Sequence, residues 1–128
     1  MKKIIIIEDD KVMQFLLRNL LKDAGYSVKS IVDGSEITAN NKVLLMADLI
    51  ILDMMIPHLY ESSQLIDIYK SLETPIIVMS SIDKEDGEYF TRKINAHTFF
   101  NKPFEPEKLL NEVNIILNKR SRIEKFII

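Results

Sequence analysis

The chain has no cysteine. A disulfide framework and thiolate chemistry are therefore excluded, which fits a reducing compartment. Glycine is scarce: Gly25, Gly34 and Gly87 are the only three, and they are widely separated. A phosphate loop or a dinucleotide fingerprint needs clustered glycines, so neither can be built here. The two histidines, His58 and His97, are also far apart. Without cysteine or paired imidazoles, a soft or histidine-rich transition-metal site is disfavoured. No apolar run approaches the ~18 residues of a spanning helix. After Met1-Lys2-Lys3 only four isoleucines precede the first acid, too few for the apolar segment of a signal peptide. An excess of one charge is missing too, with a net charge of −2, so no general pull toward nucleic acid or an anionic membrane is expected. These absences predict a soluble, cytoplasmic protein with no direct nucleic-acid binding and no membrane segment.

What is present is a chain of 128 residues, 47% hydrophobic, long enough for one domain with a substantial core. Its apolar runs share one habit: each ends in polar groups. Ile4 to Ile7 runs into Glu8, Asp9 and Asp10. Asp48-Leu-Ile-Ile-Leu ends on Asp53. Ile76 to Met79 ends on Ser80 and Ser81. Phe99 and Phe100 lead to Asn101, Lys102 and Pro103. The β-branched run after Lys3 lacks period-2 alternation, the pattern of a parallel strand covered on both faces.

Between these runs lie helical patterns. Asp10 reads as an N-cap. Val12, Leu16 and Leu20, with Met13, Leu17 and Leu21 beside them, make a broad apolar stripe that Gly25 ends. The spacing predicts helices over 11–24, weakly over 36–46, and over 59–72, 84–94 and from Pro106 to about Lys119. It predicts strands over 3–7, 27–32, 48–53, 76–80 and 98–100. Asp33-Gly34 reads as a turn, and Ser35 as a cap. Gly87 inside the fourth helix costs ~1 kcal/mol relative to alanine, so this weak helix reads as a mobile element beside the site or, more commonly, as a fraying surface helix. The order is βα five times over, which implies a parallel sheet with helices on both faces. Residues 1–119 read as one domain, and 120–128 as a helix extension or the start of a linker.

In an open α/β sheet, ligands bind at the C-terminal edge of the strands. Glu8, Asp9 and Asp53 could meet there. Carboxylates brought close repel, and one would hold a raised pKa unless a cation intervened. A hard divalent ion such as Mg²⁺ suits carboxylate oxygens. Glu8, Asp9 and Asp10 could equally be acids complementing a helix dipole. Lys102 could hold an anionic group, or be an exposed structural lysine. Ser80 could bond the same anion, or cap a loop.

Taken together, these pieces resemble the receiver domain of two-component response regulators. Glu8-Asp9-Asp10, Asp48 to Pro57, Pro75 to Ser81 and Phe99 to Phe104 match that family in kind and order, from Lys2 to about Lys119. The resemblance implies a flavodoxin-like (βα)5 fold, strand order 2-1-3-4-5. It implies that Asp53 accepts a phosphoryl group from the phosphohistidine of a sensor kinase or phosphotransfer protein. Glu8, Asp9, Asp53 and the Met55 backbone carbonyl would hold Mg²⁺. Lys102 and Ser80 would bind phosphoryl oxygens, and Ser80 and Phe99 would act as the conformational switch. The Lys102–Pro103 bond is expected to be cis. The surface of the fourth helix, fifth strand and fifth helix is the expected face for an output partner or a homodimer.

The chain departs from the family pattern in places. His58-Leu-Tyr-Glu61 replaces the usual Asp-Gly after the loop proline, and the segment before Ser80 is short. Asn95-Ala96 replaces Gly-Ala, and asparagine tolerates positive φ. Met55, bulky and apolar, is expected to hinder the water that hydrolyses an acyl phosphate. A dehalogenase-type phosphatase would need a second aspartate at that position, so a turnover enzyme is not expected. The alternative that remains is a pseudo-receiver, an interaction module that never takes phosphate.

Overall fold

The computed structural model describes residues 1–31, 42–54 and 63–126. Five strands, β1 (Lys3–Ile7), β2 (Ser27–Ile31), β3 (Leu49–Asp53), β4 (Ile76–Ser80) and β5 (Thr98–Asn101), form one parallel sheet in the order β2-β1-β3-β4-β5. Between and after them run α1 (Lys11–Asp23), α2 (Lys42–Leu45), α3 (Ser63–Ser71), α4 (Lys84–Lys93) and α5 (Pro106–Phe126). The parallel sheet is the one expected from the βα alternation, and the order is the flavodoxin-like one that the resemblance implies. The predicted turn and cap at Asp33, Gly34 and Ser35, and the Met55, Pro57 and His58 loop, lie outside the described residues.

The apolar runs are the inner strands. Every residue of β3 and β4 is buried, as are Ile4 to Ile7 of β1. Burying one such side chain is worth about 1.5–3 kcal/mol, so these strands hold the fold together. Side chains alternate across the sheet, and the core divides accordingly. Ile4, Ile6, Leu49, Ile51, Ile77 and Met79 pack with Leu17 and Leu21 of α1 and with Leu109 and Val113 of α5. Ile5, Ile7, Ile50, Leu52, Ile76 and Val78 pack on the other face with Leu44, Tyr69, Phe90 and Ile94.

Local chemistry sets the element ends. The Asp10 carboxylate accepts from the N–H groups of Val12 at 2.8 Å and Met13 at 3.2 Å, which fixes the start of α1. Gly25, at φ 96°, ends that helix in the left-handed region. Asn95 takes φ 57° before β5, the role a glycine would otherwise fill. The Lys102–Pro103 bond is cis, as expected.

Gly87, read from the sequence as a cost to the fourth helix, has a packing role as well. It is buried, and the ring of Phe99 lies against it.

Candidate functional site

Alternation carries the site past the sheet edge. Glu8 stands two residues beyond Ile6, Asp53 two beyond Ile51, and Lys102 two beyond Phe100, all in the row facing α1 and α5. The register pairs Ile6 with Ile51, so β1 and β3 end side by side. A residue-by-residue extension of the core rows therefore brings one ammonium and two carboxylates together. Lys102 Nζ lies 3.2 Å from Glu8 Oε2 and 3.1 Å from Asp53 Oδ2. Both carboxylates are buried, while the lysine side chain keeps 17% of its exposure.

Asp9 joins from the exposed side. Carboxylate oxygens of Glu8, Asp9 and Asp53 lie within 4.8 Å of one another. Three carboxylates gathered this closely beside the Lys102 ammonium repel one another. The cost shows in Glu8. Burial pushes its carboxyl up to about 7, and Asp53 beside it adds to the rise. Lys102 and the Asp10 N–H, which donates to Glu8 Oε1 at 3.1 Å, pull the other way. Burial lowers the pKa of Lys102, but the charges of Asp53 and Glu8 outweigh it, and the net direction is upward.

Those features fit a hard divalent cation. The donors are oxygens only, they converge, and their mutual repulsion is what such an ion removes. The Met55 carbonyl, expected as a further ligand, lies outside the described residues.

Ser80 arrives from the other row. It follows Ile76 and Val78 on the α4 face and is fully buried. Its Oγ accepts from the Ile82 N–H at 3.1 Å, and its carbonyl accepts from the Lys102 N–H at 2.8 Å. Phe99 lies in the same row, half-buried, against the core under α4. The structure thus brings Glu8, Asp9, Asp53 and Lys102 into one cluster, with Ser80 at the end of β4 and Phe99 further down β5.

Three participants went unread in the sequence. The Gln14 carboxamide donates to the Glu8 carbonyl and ties α1 to the site. Gly87 leaves room for the Phe99 ring. The Asn101 carboxamide donates to the carbonyls of Ser80 at 3.0 Å and Ile82 at 2.8 Å. A glycine inside a helical pattern was the available signal for the second. Nothing in the local sequence announces the other two.

Comparison with known proteins places these features. The response regulator receiver domain model matches residues 4–114. The chain is 31% identical over 127 residues to the alkaline phosphatase synthesis transcriptional regulatory protein PhoP of Bacillus subtilis, covering 95% of this chain and 50% of that one. It is 28% identical over 121 residues to the transcriptional regulatory protein CpxR of Klebsiella pneumoniae, covering 93% and 50%. The chain spans about half the length of these curated relatives. Among solved structures, a two-component response regulator from Clostridium difficile superposes with TM-score 0.77 at 23% identity, covering 94% of this chain and 98% of that one. The chemotaxis protein CheY4 of Vibrio cholerae gives TM-score 0.74 at 24% identity, covering 91% and 99%.

Proposed function

The chain belongs to the response regulator receiver domain family, and from that premise we propose that Asp53 is its phosphoacceptor. The observation that carries this reading is Lys102 Nζ seated between the buried carboxylates of Glu8 and Asp53. In the proposed step an Asp53 carboxylate oxygen forms a bond to phosphorus as the N–P bond of a phosphohistidine breaks. The electron pair stays on the imidazole nitrogen, which takes up a proton. Nothing covalent is asked of the other residues. Their work is positioning and charge.

Lys102 orients one Asp53 oxygen by its hydrogen bond at 3.1 Å and offers positive charge to the incoming phosphoryl oxygens. Glu8, Asp9 and Asp53 would hold Mg²⁺, which when bound supplies further positive charge to those oxygens. Ser80 would donate its hydroxyl proton to the phosphoryl group, since its oxygen already accepts from Ile82. Phe99 would change seat as the turn after β4 adjusts. The product is an acyl phosphate on Asp53 that the chain itself loses slowly, so the chain acts as a signalling switch and not as a turnover enzyme.

The proposed donor is a sensor histidine kinase or phosphotransfer protein, and a cytoplasmic location is proposed with it. Among the described residues no helix is long and apolar enough to cross a membrane. The output face is that of α4, β5 and α5. It exposes Tyr89, with Lys93 Nζ 5.9 Å from the ring centroid, and Ile115. It would take an output partner or a second copy of this chain. Residues 1–119 are proposed as the receiver unit and 120–128 as an extension of its last helix or the start of a linker; α5 runs to Phe126.

The test is intact mass after incubation with acetyl phosphate and Mg²⁺, beside Asp53→Ala. One phosphoryl adduct, absent in the variant and absent without Mg²⁺, is expected. Failure of folded protein to take either acetyl phosphate or Mg²⁺-beryllofluoride would overturn phosphotransfer and leave an interaction module.

A further inference from the structure

Asn101 is exposed, yet its side chain is spent inward. Its NH2 group donates to two carbonyls of the turn between β4 and α4, Ser80 O at 3.0 Å and Ile82 O at 2.8 Å. Asn101 is the register partner of Ser80, so both side chains leave the sheet on the α4 face. The same turn is fixed on its inner side. There the Ser80 carbonyl accepts the Lys102 N–H at 2.8 Å, and Ser80 Oγ accepts the Ile82 N–H at 3.1 Å. Two consecutive residues of one chain segment therefore hold the turn that carries Ser80. The second of them, Lys102, also reaches Asp53.

We infer that Asn101 is a positioning residue for Ser80, acting through the β4–α4 turn and not on the transferred group. This rests on the receiver reading above. By bridging the carbonyls of Ser80 and Ile82, the carboxamide fixes the turn so that the Ile82 N–H occupies a lone pair of Ser80 Oγ. The hydroxyl proton is then left to point at an acceptor. A side chain without donors at position 101 leaves the Ile82 carbonyl to solvent and lets the turn open. Ser80 then samples several orientations, and a group on Asp53 loses a preorganised partner.

The experiment is a double-mutant cycle on Mg²⁺-dependent beryllofluoride binding, with Asn101→Ala, Ser80→Ala and both together. Asn101 lies at the surface, so its truncation spares the core. Asn101→Ala should weaken beryllofluoride binding roughly tenfold, as the loss of two modest hydrogen bonds allows. It should leave affinity for Mg²⁺ alone unchanged, and it should add nothing in the Ser80→Ala background. A second readout needs neither ion: exchange of the Ile82 amide in metal-free protein should quicken about tenfold. Equal losses in both backgrounds would overturn the inference, since Asn101 would then act independently of Ser80. So would unchanged binding, or a parallel loss of Mg²⁺ affinity. If the wild type binds no beryllofluoride while Ile82 exchange still responds to Asn101→Ala, it is the receiver reading that falls, and the role in phosphoryl binding with it.

Discussion

The ring of Phe99 fills the space in which a side chain at Gly87 would stand. An ideal Cβ on Gly87 would lie 2.1 Å from the ring's Cζ. The glycine sits in α4 and the ring comes from β5, so this close approach is how helix and strand meet. The glycine is there for room and not for backbone freedom.

Gly87→Ala is therefore expected to destabilise the protein by about 1–3 kcal/mol, the usual range for overpacking. Helix propensity alone predicts the opposite, a gain of about 1 kcal/mol. Urea denaturation separates the two. In a Phe99→Ala background the penalty should vanish and the propensity gain appear. A stabilised single variant would mean that the ring does not need that space.

Stability without metal should depend on pH through Glu8. Its folded pKa is raised to about 7 from an ordinary 4.5. Between those values the folded state binds more proton than the unfolded state, so stability falls as pH rises. Thermal unfolding in chelator should show Tm dropping from pH 5 to pH 7.5. Millimolar Mg²⁺ should flatten that slope, because an ion bound only by the folded state opposes the repulsion. A metal-free Tm that rises over this window would contradict the assignment.

Lys102→Met should expose the same repulsion. It removes the ammonium that faces Glu8 and Asp53. At pH 8 the loss should be about 1–3 kcal/mol, below that of a fully buried pair because the lysine is partly open to water. At pH 5 the loss should shrink, since a protonated Glu8 no longer needs a counter-charge. Denaturation at the two pH values checks this, and a pH-independent loss would assign Lys102 a packing role only.

Tyr69 carries a different imbalance. It is buried in the core under α3, and its hydroxyl has no hydrogen-bond partner among the described residues. Burial pushes the phenol's pKa up, so it stays neutral. Tyr69→Phe should leave stability unchanged or raise it by about 1 kcal/mol, because an unsatisfied polar group is removed. A clear loss in thermal unfolding would reveal a partner for that oxygen.

Much of the fold is legible in local pattern. Ile4 to Ile7, Leu49 to Leu52 and Ile76 to Met79 announce buried parallel strands, because only a strand covered on both faces tolerates such continuous apolarity. Asp10 and Gly25 bracket α1 as caps do. The Glu8, Asp53 and Lys102 cluster was also readable, because strand ends in a parallel sheet share one edge and alternation fixes the face.

Other features have no local signature. Gly87 looks like a helix defect until the Phe99 ring is seen against it, and the two are twelve residues apart. Asn101 looks like any loop polar residue until its carboxamide meets Ser80 at the end of the neighbouring strand and Ile82 in the turn after it. Tyr26, whose hydroxyl donates to Asn114, links elements at opposite ends of the chain.

The sequence by itself thus determined the parallel βα alternation, the caps and the chemistry gathered at the sheet edge, while the strand order followed from the family resemblance. The first three follow from periodicity, from backbone preference and from the rule that consecutive parallel strands point the same way. Which side chains brace that edge was left to the packed structure. Bracing depends on distances between residues remote in the chain, and a one-dimensional pattern carries no distances.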